Sequence, residues 1–121
     1  MMAVYVFLGG GIGAVLRYWM SVSLSSDTQI IPWQTFAANF VSCVLLGIFL
    51  ALSRKYSTDN TPLYLFLMTG ICGGFSTFST FSMENLLLLQ QGQWMAALAY
   101  TLLSVVVCVL GVWAGMMVME F

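Results

Sequence analysis

The chain has 121 residues, of which 61% are hydrophobic and only 6% charged, whereas a soluble domain carries about a quarter charged residues; this composition belongs to an integral membrane protein. Three basic and four acidic side chains with no His give a formal charge of −1, which excludes a polyanion-binding surface, and with it nucleic acid as a partner. Cys43, Cys72 and Cys108 are odd in number, lie in apolar runs and lack CxxC spacing, so they read as buried thiols rather than a disulfide framework or a zinc site.

In chain order, residues 3–24 form a first span, long enough for the roughly 20 apolar residues a bilayer crossing needs and interrupted by Arg17. A cleaved signal peptide is the rival reading. It is disfavoured because no basic segment precedes Ala3, the small-residue cleavage pattern is poor, and Arg17 would break the apolar core. Residues 25–32 are a polar turn carrying Asp27, and Pro32 or Trp33 opens a second span over 33–53, closed by Arg54 and Lys55. Residues 53–62 are the only strongly polar loop, ending in a Thr61-Pro62 pair suited to cap and start a helix. The third span, 62–89, is too long for a minimal crossing and is expected to break near 73–77, at Gly73-Gly74. Gln90 to Gln93 make the last turn, and 94–119 a fourth span with Trp94 and Trp113 as interfacial anchors. The expected architecture is all-α: residues 1–121 as a single membrane domain of four transmembrane helices.

Lys and Arg mark the orientation only faintly, through Arg54 and Lys55 in one loop and Arg17 inside the first span. Charge alone leaves a single orientation and insertion in both orientations about equally open. Gly9 and Gly13, Cys43 and Gly47, Gly70 and Gly74, and Gly111 and Gly115 are each four apart, the small-residue spacing that lets membrane helices approach closely. The glycine run at 9–13 is no dinucleotide loop, because no strand precedes it and no acidic residue follows at the required distance.

The chemistry concentrates at residues 69–85, where three glycines, a run of Ser and Thr, and Phe75, Phe78 and Phe81 interrupt an apolar segment. Backbone freed from a helix within lipid must be buried in protein or line a polar cavity. Phe78, Phe81, Ser82 and Asn85 share one helical face, and Ser76, Ser79 and Thr80 another. Ring edges carry partial positive charge, so a narrow passage lined by them attracts a small anion without the deep trap an Arg would create. The plain alternative for a Phe stripe is lipid contact or core packing, and the adjacent glycines and hydroxyls weigh against it. Arg17, Asn39, Glu84 and Asn85 are the residues hydrocarbon should exclude, a central charge costing roughly 2.5–3.5 kcal/mol. Arg17 suits an entrance or structural role at carbonyls of a broken helix end. Glu84 lies near a helix end, where water reaches it, and Asn39 either bonds a neighbouring helix or offers its NH₂ to a solute. With no His, no acid pair and no nucleophile beside a base, enzyme activity is not expected.

Three motifs resemble one family, the Fluc fluoride channels: Gly-x-Gly-Ala-x-x-Arg-Tyr at 11–18, Thr-x-x-x-Asn at 35–39, and Gly-x-Cys-Gly-Gly-Phe-Ser-Thr-Phe-Ser-Thr-Phe-Ser-x-Glu at 70–84. The resemblance implies an antiparallel, dual-topology dimer in the bacterial inner membrane, formed with itself or with a paralogous subunit. It further implies two passive fluoride pathways at the subunit interface and a structural Na⁺ at the dimer centre. Carried over by motif, Phe78 and Phe81 are the pathway rings, Asn39 the amide donor, and Ser79 and Thr80 hydroxyl donors. Gly73 and Ser76 offer main-chain carbonyls to the Na⁺, with Arg17 and Glu84 at an entrance. The fourth-helix row reads Tyr100, Ser104, Cys108, Val112, polar at first and then apolar, where relatives usually continue with hydroxyls. Two other readings are a small dual-topology cation or multidrug antiporter, which needs a membrane-embedded carboxylate, and a non-transporting interaction subunit, which leaves the Phe/Ser/Thr run without a purpose.

Overall fold

The computed structural model describes residues 1–57 and 61–120; the middle of the polar loop expected over 53–62 lies outside the described residues. Among these the chain is helical, without strands: α1 (Met2–Leu24), α2 (Trp33–Tyr56), α3 (residues 62–75), α4 (Phe78–Gln90) and α5 (Trp94–Glu120). Four stretches, with α3 and α4 counted as one, are long and apolar enough to cross a membrane, so this is a multi-pass membrane protein.

Local chemistry sets the element ends. The Thr61 hydroxyl accepts from the Tyr64 N–H at 3.2 Å and Pro62 occupies the first turn, where its missing N–H costs nothing. α2 ends on Ser57 in the left-handed region (φ 50°), its N–H turned back to the Ser53 carbonyl. Within α3, Leu65–Cys72 is wound as a π-helix, and the Gly73 N–H continues that pattern by reaching the Met68 carbonyl five residues back. Such widened turns are rare and are found frequently at functional sites.

The helices pack as two pairs, α1 against α3 and α2 against α5, and glycine makes both seams. A Cβ on Gly13 would collide with the Ile71 carbonyl and lie 2.7 Å from the Phe75 nitrogen, and one on Gly70 would lie 2.8 Å from the Gly9 Cα. On the other seam, Gly47 faces the Val112 carbonyl and Gly115 the Val44 carbonyl with no room for a side chain. The backbones therefore touch, gaining dispersion contacts where lipid offers no hydrophobic drive. α4 joins the second pair through a small core of Leu88, Ala97 and Tyr100.

The glycines of the third span lie elsewhere in its geometry than the sequence suggests. Gly73 is helical (φ −65°, ψ −37°) and Gly73–Phe75 continues as helix. Gly74 serves the seam, since a Cβ there would strike the Gly10 carbonyl. The residues in extended conformation are Ser76 (φ −74°, ψ 157°) and Thr77 (φ −152°, ψ 116°). A hydroxyl cap sets this position: the Thr77 side chain accepts from the Thr80 N–H and starts α4.

Candidate functional site

Three residues of α2 make one polar stripe, and each binds the third span. Thr35, Asn39 and Ser42 are spaced four and three apart, which places them on one helical face. The Thr35 hydroxyl donates to Glu84 Oε1 at 2.7 Å, the Asn39 amide meets Thr77, and the Ser42 hydroxyl donates to the Cys72 carbonyl at 2.8 Å. The partners descend in number as the stripe ascends, as antiparallel neighbours require.

Asn39 is the centre of this stripe. Its Oδ1 accepts from the Thr77 N–H at 2.7 Å while its Nδ2 donates to the Thr77 carbonyl at 3.3 Å. One side chain thus supplies both bonds that an extended residue loses by leaving the helix, and an unmet buried group costs about 1–3 kcal/mol. Because the Thr77 N–H is taken, the Gly73 carbonyl, which a continuing α-helix would pair with it, is released. Arg17 turns inward from α1, and its Nη1 donates to the Ser76 carbonyl at 3.3 Å.

Phe78 and Phe81 follow directly. Their centroids are 5.7 Å apart, and Phe81 sits 5.1 Å from the Tyr100 ring. Phe81 is half-buried, whereas Phe78 is 79% exposed at the start of α4. Both rings line a cavity of about 250 Å³ together with Asn39, Cys43, Ser104 and Cys108. The Ser104 hydroxyl is buried there and has no hydrogen-bond partner among the described residues, an arrangement that folded proteins rarely leave without a ligand or water.

Beyond Phe81 the polar groups continue toward the end of the span. Tyr100, 1% exposed, donates its phenol to Glu84 Oε2 at 2.8 Å. Glu84 is half-buried and held by two hydroxyls: Thr35 and Tyr100 converge on it from two other helices. Glu84 in turn borders a polar cavity of about 380 Å³ with Asp27, Gln34, Gln91 and Gln93. Next to it, Asn85 donates to the Phe81 carbonyl at 3.0 Å and accepts from the Thr101 hydroxyl at 2.9 Å, tying the turn that carries Phe81 to α5.

The structure thus gathers Asn39, Phe78, Phe81, Ser104, Tyr100 and Glu84 along one strip. It does not bring Ser79 and Thr80 into the cavity of the two rings. The Thr77 hydroxyl, 3.1 Å from Thr80 Oγ1 and 3.3 Å from Ser79 Oγ, gathers both. Thr80 lines a separate cavity with Arg17, Tyr18 and Thr35. Phe75, third of the periodic rings, is 5% exposed at the α1 seam. Thr35, Thr77 and the Asn85–Thr101 pair were missed as site residues from sequence. The i, i+4, i+7 hydroxyl and amide stripe on α2 was the signal for the first.

Comparison with known proteins gives a consistent result. The family described as CrcB-like protein, Camphor Resistance (CrcB), matches over residues 4–116. A protein of Phocaeicola vulgatus named fluoride-specific ion channel FluC is 44% identical over 116 residues, covering 95% of each chain. Proteins of the same name from Flavobacterium psychrophilum and Klebsiella pneumoniae are 40% and 44% identical, covering 94% and 90% of this chain and 93% and 83% of theirs.

Proposed function

This chain belongs to the CrcB-like family, that of the fluoride channels, and from that premise we propose that it is a passive, fluoride-selective channel whose ion path runs along the strip from Phe78 to Glu84. The observation that carries the path is the Phe78 ring, 79% exposed beside a half-buried Phe81 and a buried Ser104 hydroxyl without a partner among the described residues. Ring edges and a hydroxyl proton are all donors of weak positive potential, suited to replace part of a small anion's water shell without trapping it. The anion leaves the rings past Tyr100 toward the polar cavity at Glu84, where the two donated hydroxyls already offset the carboxylate. No step consumes energy.

The exposed ring also supports an antiparallel dimer, either of two copies or with a paralogous subunit. Phe78 stands out from its own subunit, and a facing copy would close the open side of the cavity, making two equivalent paths. A chain whose only Lys and Arg besides Arg17 are Arg54 and Lys55, in the last turn of α2, has little charge to fix one orientation. The residues also suit a hard cation at the centre. The Gly73 carbonyl is released by the Asn39–Thr77 pairing, Gly73 is exposed, and a carbonyl oxygen with two lone pairs leaves Ser76 capacity beyond its Arg17 bond. Na⁺ bound there would neutralise spare carbonyl dipoles and link two subunits; its ligands would be main-chain oxygens, Gly73 and Ser76 from each.

The test is fluoride efflux from liposomes holding this chain alone. Fluoride should leave far faster than chloride. Equal rates for both halides would overturn selectivity, and silence restored only by a paralogous subunit would replace the homodimer with a mixed one.

A further inference from the structure

The cavity beside the rings contains two side chains that anion passage does not need. Cys43 comes from α2 and Cys108 from α5, the two helices whose backbones meet at Gly47 and Gly115. Both thiols are free and half-buried, and they line the cavity with Ser104, whose buried hydroxyl has no partner among the described residues. Cys72 is buried at the Ser42 contact and does not line it.

We propose that Cys43 and Cys108 together form a binding site for one soft, two-coordinate divalent cation of the mercuric kind. Sulfur selects soft metals, and a pair of thiols offers the linear coordination that mercury accepts. Zinc would want four ligands, and no group of three or more His, Cys, Asp or Glu converges among the described residues. The balance of charge favours a divalent ion. Two S–H bonds break, two S–Hg bonds form, two protons leave with the two chlorides of HgCl₂, and no electron changes hands. The resulting bis-thiolate is neutral, so the membrane interior imposes no net-charge cost. The neutral reagent also suits a cavity whose walls are mostly apolar side chains.

Binding is tested in detergent on reduced protein carrying Cys72→Ala, so that only the pair remains. One equivalent of HgCl₂ should protect two thiols per chain from maleimide. The intact mass of a single chain should rise by one mercury less two hydrogens. Cys43→Ser and Cys108→Ser, each made separately in that background, should lose one thiol per equivalent and yield mercury to a competing monothiol about a hundredfold more readily, the loss expected when the second contact of a chelate is removed. Two equivalents needed to protect the pair, or single-thiol variants that hold mercury as tightly as the parent, would overturn the site. A flux arm rests on the function proposed above: mercury should block fluoride efflux in the two-thiol protein more strongly than in either single-thiol variant, each relative to its own metal-free rate. Stoichiometric binding with undiminished efflux would remove the ion path from this cavity and leave the metal site standing.

Discussion

The glycine seams and the segment from Ser76 to Asn85 solve the same problem in opposite ways. At the seams, side chains are absent, and backbone lies on backbone from Gly9 to Gly74 and from Gly47 to Gly115. In the second region side chains do everything: Asn39, Thr77 and Asn85 satisfy main-chain groups, and hydroxyls from α2 and α5 hold Glu84. The first region has no freedom left. The second keeps a ring in the open and a hydroxyl without a partner among the described residues, and such unspent capacity belongs at a site. A rigid pair of seams is what permits the other region to remain incomplete.

That contrast can be broken most severely at the seams. Gly13→Val and Gly47→Val place a branched side chain against backbone that cannot yield, so each should lower unfolding stability by about 3 kcal/mol, read by denaturant titration in micelles. Gly73→Ala, whose Cβ meets nothing within 4 Å, is the matched control and should leave the subunit's stability nearly unchanged. Equal losses at all three positions would dissolve the distinction.

Asn39→Leu comes next. It strips the Thr77 N–H and carbonyl of their partner and should cost about 2 kcal/mol, with faster amide exchange at Thr77 as the local readout; unchanged exchange would deny Asn39 its place as the clamp. Phe78→Ile should reduce fluoride efflux roughly tenfold, equivalent to about 1.4 kcal/mol of barrier, while the melting curve stays where it was, because an exposed ring contributes little packing. Loss of stability together with flux would make Phe78 a structural residue instead. The smallest effect is Thr101→Val, which removes one hydrogen bond to Asn85 and should cost about 1 kcal/mol, seen as looser packing of Phe81 against Tyr100 in aromatic-ring NMR linewidths.

Much of the candidate site was legible because cost is visible in a sequence. A hydroxyl run with glycines inside a membrane span, and an Asn within another, are expensive unless used, and they pointed to Asn39, Phe78 and Phe81. What the glycines were for was not legible. Gly73 and Gly74 read as the point of interruption, yet Gly74 makes room for α1, while extended backbone appears at Ser76 and Thr77, where Asn39 from another helix supplies the missing bonds. Ser79 and Thr80 shared a motif with the rings but do not line their cavity, Thr80 turning to a different one, since neighbours in a helix diverge by about a hundred degrees.

The sequence by itself determined four spans, an all-helical chain in lipid and the stretch where its chemistry lies, because hydropathy and glycine content are local quantities that need no partner to be counted. Only the tertiary structure decided which helices pair, which residues leave the helix, that two hydroxyls hold Glu84, and that two cysteines 65 positions apart line one cavity. Those outcomes depend on groups brought together from different helices, and a hydrogen bond or a steric clash has no existence until both members are in place.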